Sequence, residues 1–320
     1  MTREKHLLPD ADFSYILAAN KEIGPFSDVE IPSPYEMHNI KCNYWETNDV
    51  CNYGSSTLPN HLMLHFNIQS LQAKYDSLVS FLINLSNGSE TGLPSIIALT
   101  ETWLNPSNES LFSIDGYHPL RATSRPDYSN RGGVGFFVRS DLEFRSRPDL
   151  NNFLPSTFES LFITIKNINL TLGVIYSTPD SDKSEFLAHF NQAIDRLKQG
   201  NESFTLLGDF NINILSYASD TYAQSFVNTI FENGCIPLIT KPTRVTQSSF
   251  SCIDNIITNK FFSDLVAGPI VEDISDHFPV FYAFPYELSN HKRKTTYEKV
   301  FRDLSNDNII KLNSNLSKTD

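Results

Sequence analysis

Four short strings carry the residues with chemistry to offer: Asn67 in HFNIQSL, Glu101 in LTETWL, Asp209 with Asn211 in LLGDFN, and Asp276 with His277 in SDHFPV. A carboxylate and an amide suit a hard divalent cation, a second carboxylate suits activation of a water, and a histidine paired to an acid suits an anionic transition state. Together they are enough to cut a phosphodiester. Singly, each has a plainer reading: Asn67 as a turn former, Asp209-Phe210-Asn211 as an Asx turn, His277 as a structural histidine. Glu101 is harder to dismiss, because it ends the apolar run SIIALT, where a buried carboxylate is costly without a partner and a cation is the obvious one. On the catalytic reading Asp209 orients and deprotonates water, and Asn211 hydrogen-bonds the phosphate or holds the carboxylate. Asp254, in SCIDNIIT, is an acid able to pair with His277, raise its pKa and keep it protonated near neutral pH. Ser251 could then orient Asp254 through a hydrogen bond, leaving Asp276 to lie near the metal.

These residues need a scaffold that brings distant strings together. LMLHF and SIIALT read as buried strands, and GVGFFVR, TFESLFITI, LTLGVIY, FTLLGD, IDNIIT, DLVAGPIV and PVFYAF continue the pattern. Between them Leu71, Tyr75, Leu78, Val79, Leu82 and Leu85 recur at helical spacing, as do Phe186, Leu187, Phe190, Ala193, Ile194 and Leu197, and a further helix is expected over Tyr222 to Phe231. Strands that outnumber helices imply two packed sheets with helices outside. Every candidate then lies at or just beyond a strand end. Residues 1–58 hold scattered prolines and few periodic apolar positions, the pattern of a poorly ordered lead, although Cys42 to Tyr44 could pack onto the domain. The domain itself is expected over 59–286, and 287–320 reads as a linker-like tail.

Composition narrows the function. The chain has 320 residues, of which 40% are hydrophobic, enough to bury a sizeable core. No run approaches the roughly 18 apolar residues of a membrane span. With no secretory signal in MTREKHLLPDADF, the expectation is an intracellular, nuclear protein without a membrane partner. Four cysteines form no C-x-x-C pair, so free thiols are expected rather than a disulfide framework or a zinc site. A net charge of −12 argues against a protein that coats nucleic acid, but not against a nuclease, whose carboxylates are neutralised by a divalent cation. Arg121, Arg125, Arg131 and the tract His291-Lys292-Arg293-Lys294 are candidate phosphate contacts.

In order along the chain, FNIQSL, LTETWL, RGGVGFFV, GVIYSTP, LLGDFN, SCIDNIITN and SDHFPV resemble the endonuclease/exonuclease/phosphatase superfamily. More closely they resemble the apurinic-type endonuclease domain of LINE-type (non-LTR) retrotransposon proteins. The resemblance implies a DNase I-like, four-layer α-β-β-α sandwich of two mixed, largely antiparallel sheets, with the site at one edge. It implies Mg²⁺ or Mn²⁺, with Asn67 and Glu101 at the metal-proximal pair, Tyr176 at a phosphate-contacting tyrosine and Asp209 with Asn211 at the water-activating pair. Asp254 falls at the acid behind the histidine, and Asp276 with His277 at the closing pair. Gln69 stands where repair enzymes carry an acid, and Thr178-Pro179 replaces an expected asparagine. Both departures favour nicking of intact DNA over abasic-site cleavage. The tail resembles the linker to a reverse transcriptase, and no polymerase string is present, so a truncated or split retroelement protein with a separately encoded reverse transcriptase is expected. The alternatives are a phosphatase or ribonuclease of the same superfamily, or a catalytically inactive relic.

Overall fold

The computed structural model describes residues 41–53, 60–87, 92–123, 125, 131–154, 157–246, 248–260 and 265–285. The expected tail, its basic tract and most of the expected lead lie outside the described residues. In chain order the elements are β1 (Lys41–Cys42), α1 (Thr47–Tyr53), β2 (Asn60–Asn67), α2 (Leu71–Asn87), β3 (Ile96–Thr100), β4 (Arg121–Thr123), β5 (Val134–Val138), β6 (Phe144–Ser146), β7 (Phe153–Leu154), β8 (Phe158–Ile165) and β9 (Leu170–Tyr176). There follow α3 (Lys183–Gln199), β10 (Phe204–Asp209), α4 (Thr221–Glu232), β11 (Ile236–Pro237), β12 (Arg244–Val245), β13 (Phe250–Ser251), β14 (Asp254–Thr258), β15 (Val266–Pro269) and β16 (Val280–Pro285).

The first sheet runs β1-β15-β16-β2-β3-β5-β4 and the second β11-β14-β10-β9-β8-β6, with β7 added on β8. Both are mixed: β2 and β3 run parallel, as do β9 and β10 and β1 with β15, while the other pairs are antiparallel. Alternation along each strand builds the layers. In β2 and β3, Met63, Ile96 and Ala98 join the core shared with the second sheet, whereas Leu64, Phe66, Ile97 and Leu99 pack with Leu71, Leu78, Phe81, Leu82 and Leu85 of α2. On the far side α3 buries Phe186, Leu187, Phe190, Ala193, Ile194 and Leu197. Asp182 caps it by accepting from the amides of Ser184 and Glu185, and Asp220 caps α4 in the same way through Tyr222 and Ala223. The result is the expected sandwich, helices outside and two sheets face to face.

One boundary differs from the composition-based reading. Residues 41–53, placed in the lead, add a strand parallel to β15, a helix, and Trp45, whose ring meets Phe281 edge-on at 5.5 Å. A two-residue edge strand has no period to detect, so its burial comes from the partner it finds. Among the described residues, no helix is long and apolar enough to cross a membrane.

Candidate functional site

Register explains how the second sheet gathers its polar groups. Asp209 stands opposite Tyr176 on β9 and opposite Asp254 on β14, and Tyr176 stands opposite Glu159 on β8. Residues in register project to one face, so Glu159, Tyr176, Asp209 and Asp254 form a single transverse line at one end of the sheet. Just past Asp209, Phe210 is fully buried against Phe190 and Phe226 and pins the turn to the helical layer. Gly208 is required by close packing: a Cβ there would fall 1.9 Å from the carbonyl oxygen of Ile175.

The first sheet supplies the facing groups. Asn67 ends β2 and is buried, and its Nδ2 donates to Asp209 Oδ2 and to Glu101 Oε1, both at 2.8 Å. One amide thus ties the sheets together across the site. Its own Oδ1 is buried without a hydrogen-bond partner. Glu101 follows β3 in a left-handed conformation at φ 52°, and Trp103, at φ 53°, donates its indole N–H to Glu101 Oε2 at 3.2 Å. The Tyr176 hydroxyl hydrogen-bonds Glu101, and burial first, then the Glu101, Asp209 and Glu159 carboxylates, hold its pKa far above the usual phenol range. Tyr176 therefore remains a neutral donor.

Asp209 is the most enclosed of these acids. Its Oδ1 accepts the Asn211 amide N–H at 3.0 Å, and its Oδ2 accepts Asn211 Nδ2 at 3.1 Å as well as Asn67. Asn211 also bonds the Ser177 carbonyl at 2.6 Å, which fixes its amide. Burial, reinforced by Asp254 and opposed by His277, pushes the Asp209 pKa up to about 8. The expected pairing of Asp254 with His277 is present: Nδ1 lies 2.8 Å from Asp254 Oδ2. Burial alone would lower the imidazole pKa, but the Asp254 carboxylate outweighs it, with Asp209 and Asp276 adding, and the value rises to about 9. His277 is accordingly an imidazolium near neutral pH.

Ligand atoms of Asp209, Asp254 and His277 all lie within 4.8 Å of one another, spacing that could enclose a cation. In that trio His277 Nδ1 is bonded to Asp254 Oδ2 and Asp209 accepts from Asn67 and Asn211, so those atoms already have partners. Glu101 and the unpartnered Asn67 Oδ1 offer further hard oxygens that could hold a divalent cation.

Two sequence expectations are corrected, those for Ser251 and Arg125. Ser251 does not orient Asp254; Thr243 does, its Oγ1 donating to Asp254 Oδ2 at 2.7 Å and accepting from the Ile253 and Asp254 amides. Ser251 is occupied by the β12–β13 pairing opposite Arg244, and only its carbonyl reaches Thr243. Asp276, expected near the metal, is part-exposed and accepts from Arg244 Nη2 at 2.7 Å and from Gln69 Nε2, with its Oδ1 3.8 Å from His277 Nε2. Arg244 bridges to His277 in the backbone, which places its guanidinium over Asp276. Arg125, a candidate phosphate contact, is turned inward to Glu159, whereas Arg121 and Arg131 are exposed. Thr243 and Glu159 are the groups sequence reasoning missed. Glu159 had a signal, an acid inside the apolar alternation of TFESLFITI; Thr243 had none.

Residues 64–277 match the Endonuclease/Exonuclease/phosphatase family. Among solved structures, the chain is similar to the endonuclease domain of TRAS1, a telomere-specific non-LTR retrotransposon: 18% identity over 71% of this chain and 99% of that one, TM-score 0.52. It is also similar to a 3′ phosphatase, NExo, from Neisseria bound to product DNA hairpin, at 16% identity over 71% and 100% of the two chains and TM-score 0.53. An AP endonuclease from Archaeoglobus fulgidus shares 16% identity over 69% and 98%, with TM-score 0.51. Among curated protein sequences none is significantly similar.

Proposed function

Since the chain belongs to the endonuclease/exonuclease/phosphatase family, we propose that it is a divalent-metal-dependent DNA endonuclease that nicks one strand, leaving 3′-hydroxyl and 5′-phosphate ends. The observation that carries this reading is the Asn67 amide, which joins Glu101 to Asp209 and leaves its buried carbonyl oxygen unpartnered, opposite the Asp254–His277 pair. Asp209 accepts the proton of the attacking water, held in place by both asparagines. His277 keeps Nδ1–H on Asp254 and presents Nε2–H to a phosphate oxygen, and Tyr176 offers its hydroxyl to another. A bound Mg²⁺ or Mn²⁺, held by Glu101 and Asn67, would neutralise charge growing on the phosphate and favour the ionised form of Asp209.

Support for DNA over a small phosphoester comes from the rim. The β12–β13 hairpin stands beside His277 and carries Arg244 and Phe250, the latter 54% exposed, groups suited to phosphates and bases. The likeness to the TRAS1 domain and to a DNA-bound phosphatase supports the same substrate class. On this reading the protein works in the nucleus, where a reverse transcriptase would use the 3′ end. The phosphatase likeness favours one alternative, removal of a 3′-terminal phosphate from DNA by the same groups. Incubation of purified protein with supercoiled plasmid and Mg²⁺ tests the proposal. Relaxed circles are expected from the wild type, with a loss of about 10²- to 10³-fold in Glu101→Ala and His277→Ala. Absence of nicking by the wild type, or nicking at the wild-type level by both variants, overturns it, and turnover of a 3′-phosphorylated oligonucleotide alone selects the alternative.

A further inference from the structure

Arg125 and Glu159 form a buried ion pair, 9% and 1% exposed, with Arg125 Nη2 and Nε at 2.6 and 2.7 Å from Glu159 Oε1. Burying such a pair gains little stability over two apolar side chains of similar size. Its other contacts give it a task. Glu159 Oε2 accepts the Gly133 amide N–H at 2.6 Å, and the carbonyl oxygens of Gly132 and Gly133 accept the amides of Trp103 and Thr102 at 2.9 and 3.2 Å. Those are the two residues that follow Glu101 in its left-handed turn. Only glycine serves at 133: φ is +85°, and a Cβ would meet Thr102 Oγ1 at 2.5 Å. Glu159 also stands in register with Tyr176, which hydrogen-bonds Glu101. The Glu101 turn is thus reached from Glu159 through the Gly132-Gly133 backbone.

We propose that Arg125 and Glu159 are positioning residues for the cation-binding carboxylate, clamping the Gly132-Gly133 backbone so that it holds the Glu101 turn in place. The inference rests on the nuclease reading, because it takes Glu101 to be a cation ligand. It is tested on the full chain by calorimetric titration with Mn²⁺ alone, beside thermal melting and wild-type plasmid nicking. The double variant Arg125→Met/Glu159→Leu removes the clamp without leaving a buried charge unpaired, so it should fold with a melting temperature near wild type. Its Mn²⁺ affinity should nevertheless fall about tenfold, the usual effect of losing a group that orients a metal ligand. Arg125→Gln/Glu159→Gln, which keeps a carbonyl oxygen for the Gly133 amide and leaves no buried charge unpaired, should stay within about twofold of wild type. Gly133→Ala shifts the same turn with the ion pair intact and should reproduce the loss, which keeps the test decisive if the Arg125→Met/Glu159→Leu variant does not fold. Wild-type Mn²⁺ affinity in the Arg125→Met/Glu159→Leu variant or in Gly133→Ala overturns the inference, as does a loss in Arg125→Gln/Glu159→Gln equal to that of the Met/Leu variant. Wild-type protein that binds no Mn²⁺ removes the cation reading of Glu101 and this inference with it, whereas a wild type that binds Mn²⁺ and nicks plasmid beside unaffected variants removes the inference alone.

Discussion

The second sheet presents Tyr176, Asp209 and Asp254 from within regular strands, each flanked by an in-register neighbour, whereas the first sheet presents Glu101 from a left-handed turn one residue past the end of β3. Of the seven non-glycine residues with positive φ among those described, five (Gln69, Ser70, Glu101, Trp103 and Asn211) belong to the turns around the site. Such residues cost on the order of 1 kcal/mol or more each and persist only where their surroundings hold them. The contrast separates two tasks. Proton transfer depends on fixed donor–acceptor geometry, which a strand ladder gives. On the proposed reading the cation ligands are Asn67, at the end of β2, and Glu101, which a strained turn carries beyond the sheet edge.

The comparison breaks if the two regions respond alike to loss of a charge. Asp209→Asn is expected to lower plasmid nicking by about 10³-fold, with no recovery at any Mn²⁺ concentration, because the missing function is a base. Glu101→Gln should lose about 10²-fold and regain part of it as Mn²⁺ is raised, because an amide oxygen in the same turn remains a weaker ligand. Equal recovery in both, followed by initial nicking rates across a metal titration, would erase the distinction.

Stability sharpens it next. The His277 pKa is raised in the folded protein to about 9 from a model-peptide value of 6.5. A raised value means that the Asp254–His277 pair contributes fully below about pH 6.5 and that its contribution is lost as pH climbs through about 9. The metal-free wild type should therefore melt at lower temperature at pH 9.5 than at pH 7, by a larger margin than His277→Gln does. A margin as large in the variant would place the pH dependence elsewhere. The smallest effects belong to the ring around Asp254. Thr243→Val removes a hydroxyl donated to Asp254 Oδ2 and should cost about 1–2 kcal/mol in denaturant unfolding. Ser251→Ala, a surface-type change, should stay within about 0.5 kcal/mol.

The longer buried strands, five to eight residues each, and the three longer helices were legible in the text, because apolar runs or helical spacing of that length leave a pattern that packing then satisfies. The pairing of Asp254 with His277 was legible too, as an acid and an imidazole at two strand starts. What escaped was decided by partners rather than by local sequence. The edge strands β1, β4, β6, β7 and β11 are two or three residues long and exist because a neighbouring strand offers its free side. Thr243 reaches Asp254 only because the β12–β13 hairpin folds back between them. Arg125 looked like a surface cation until Glu159, 34 residues later, drew it inside. Tyr176 reads as core from its strand alone, and only the family resemblance singled it out.

The short parallel strand at Lys41–Cys42 occupies the flank of β15, and Trp45 continues the contact through backbone bonds with Pro269 and Val271. A polypeptide trimmed to begin near residue 59 would leave that flank bare, a row of amides and carbonyls beside an uncovered Phe281 ring. Copies of such a fragment would find one another there, and self-association would follow from the trimming rather than from the nuclease fold itself.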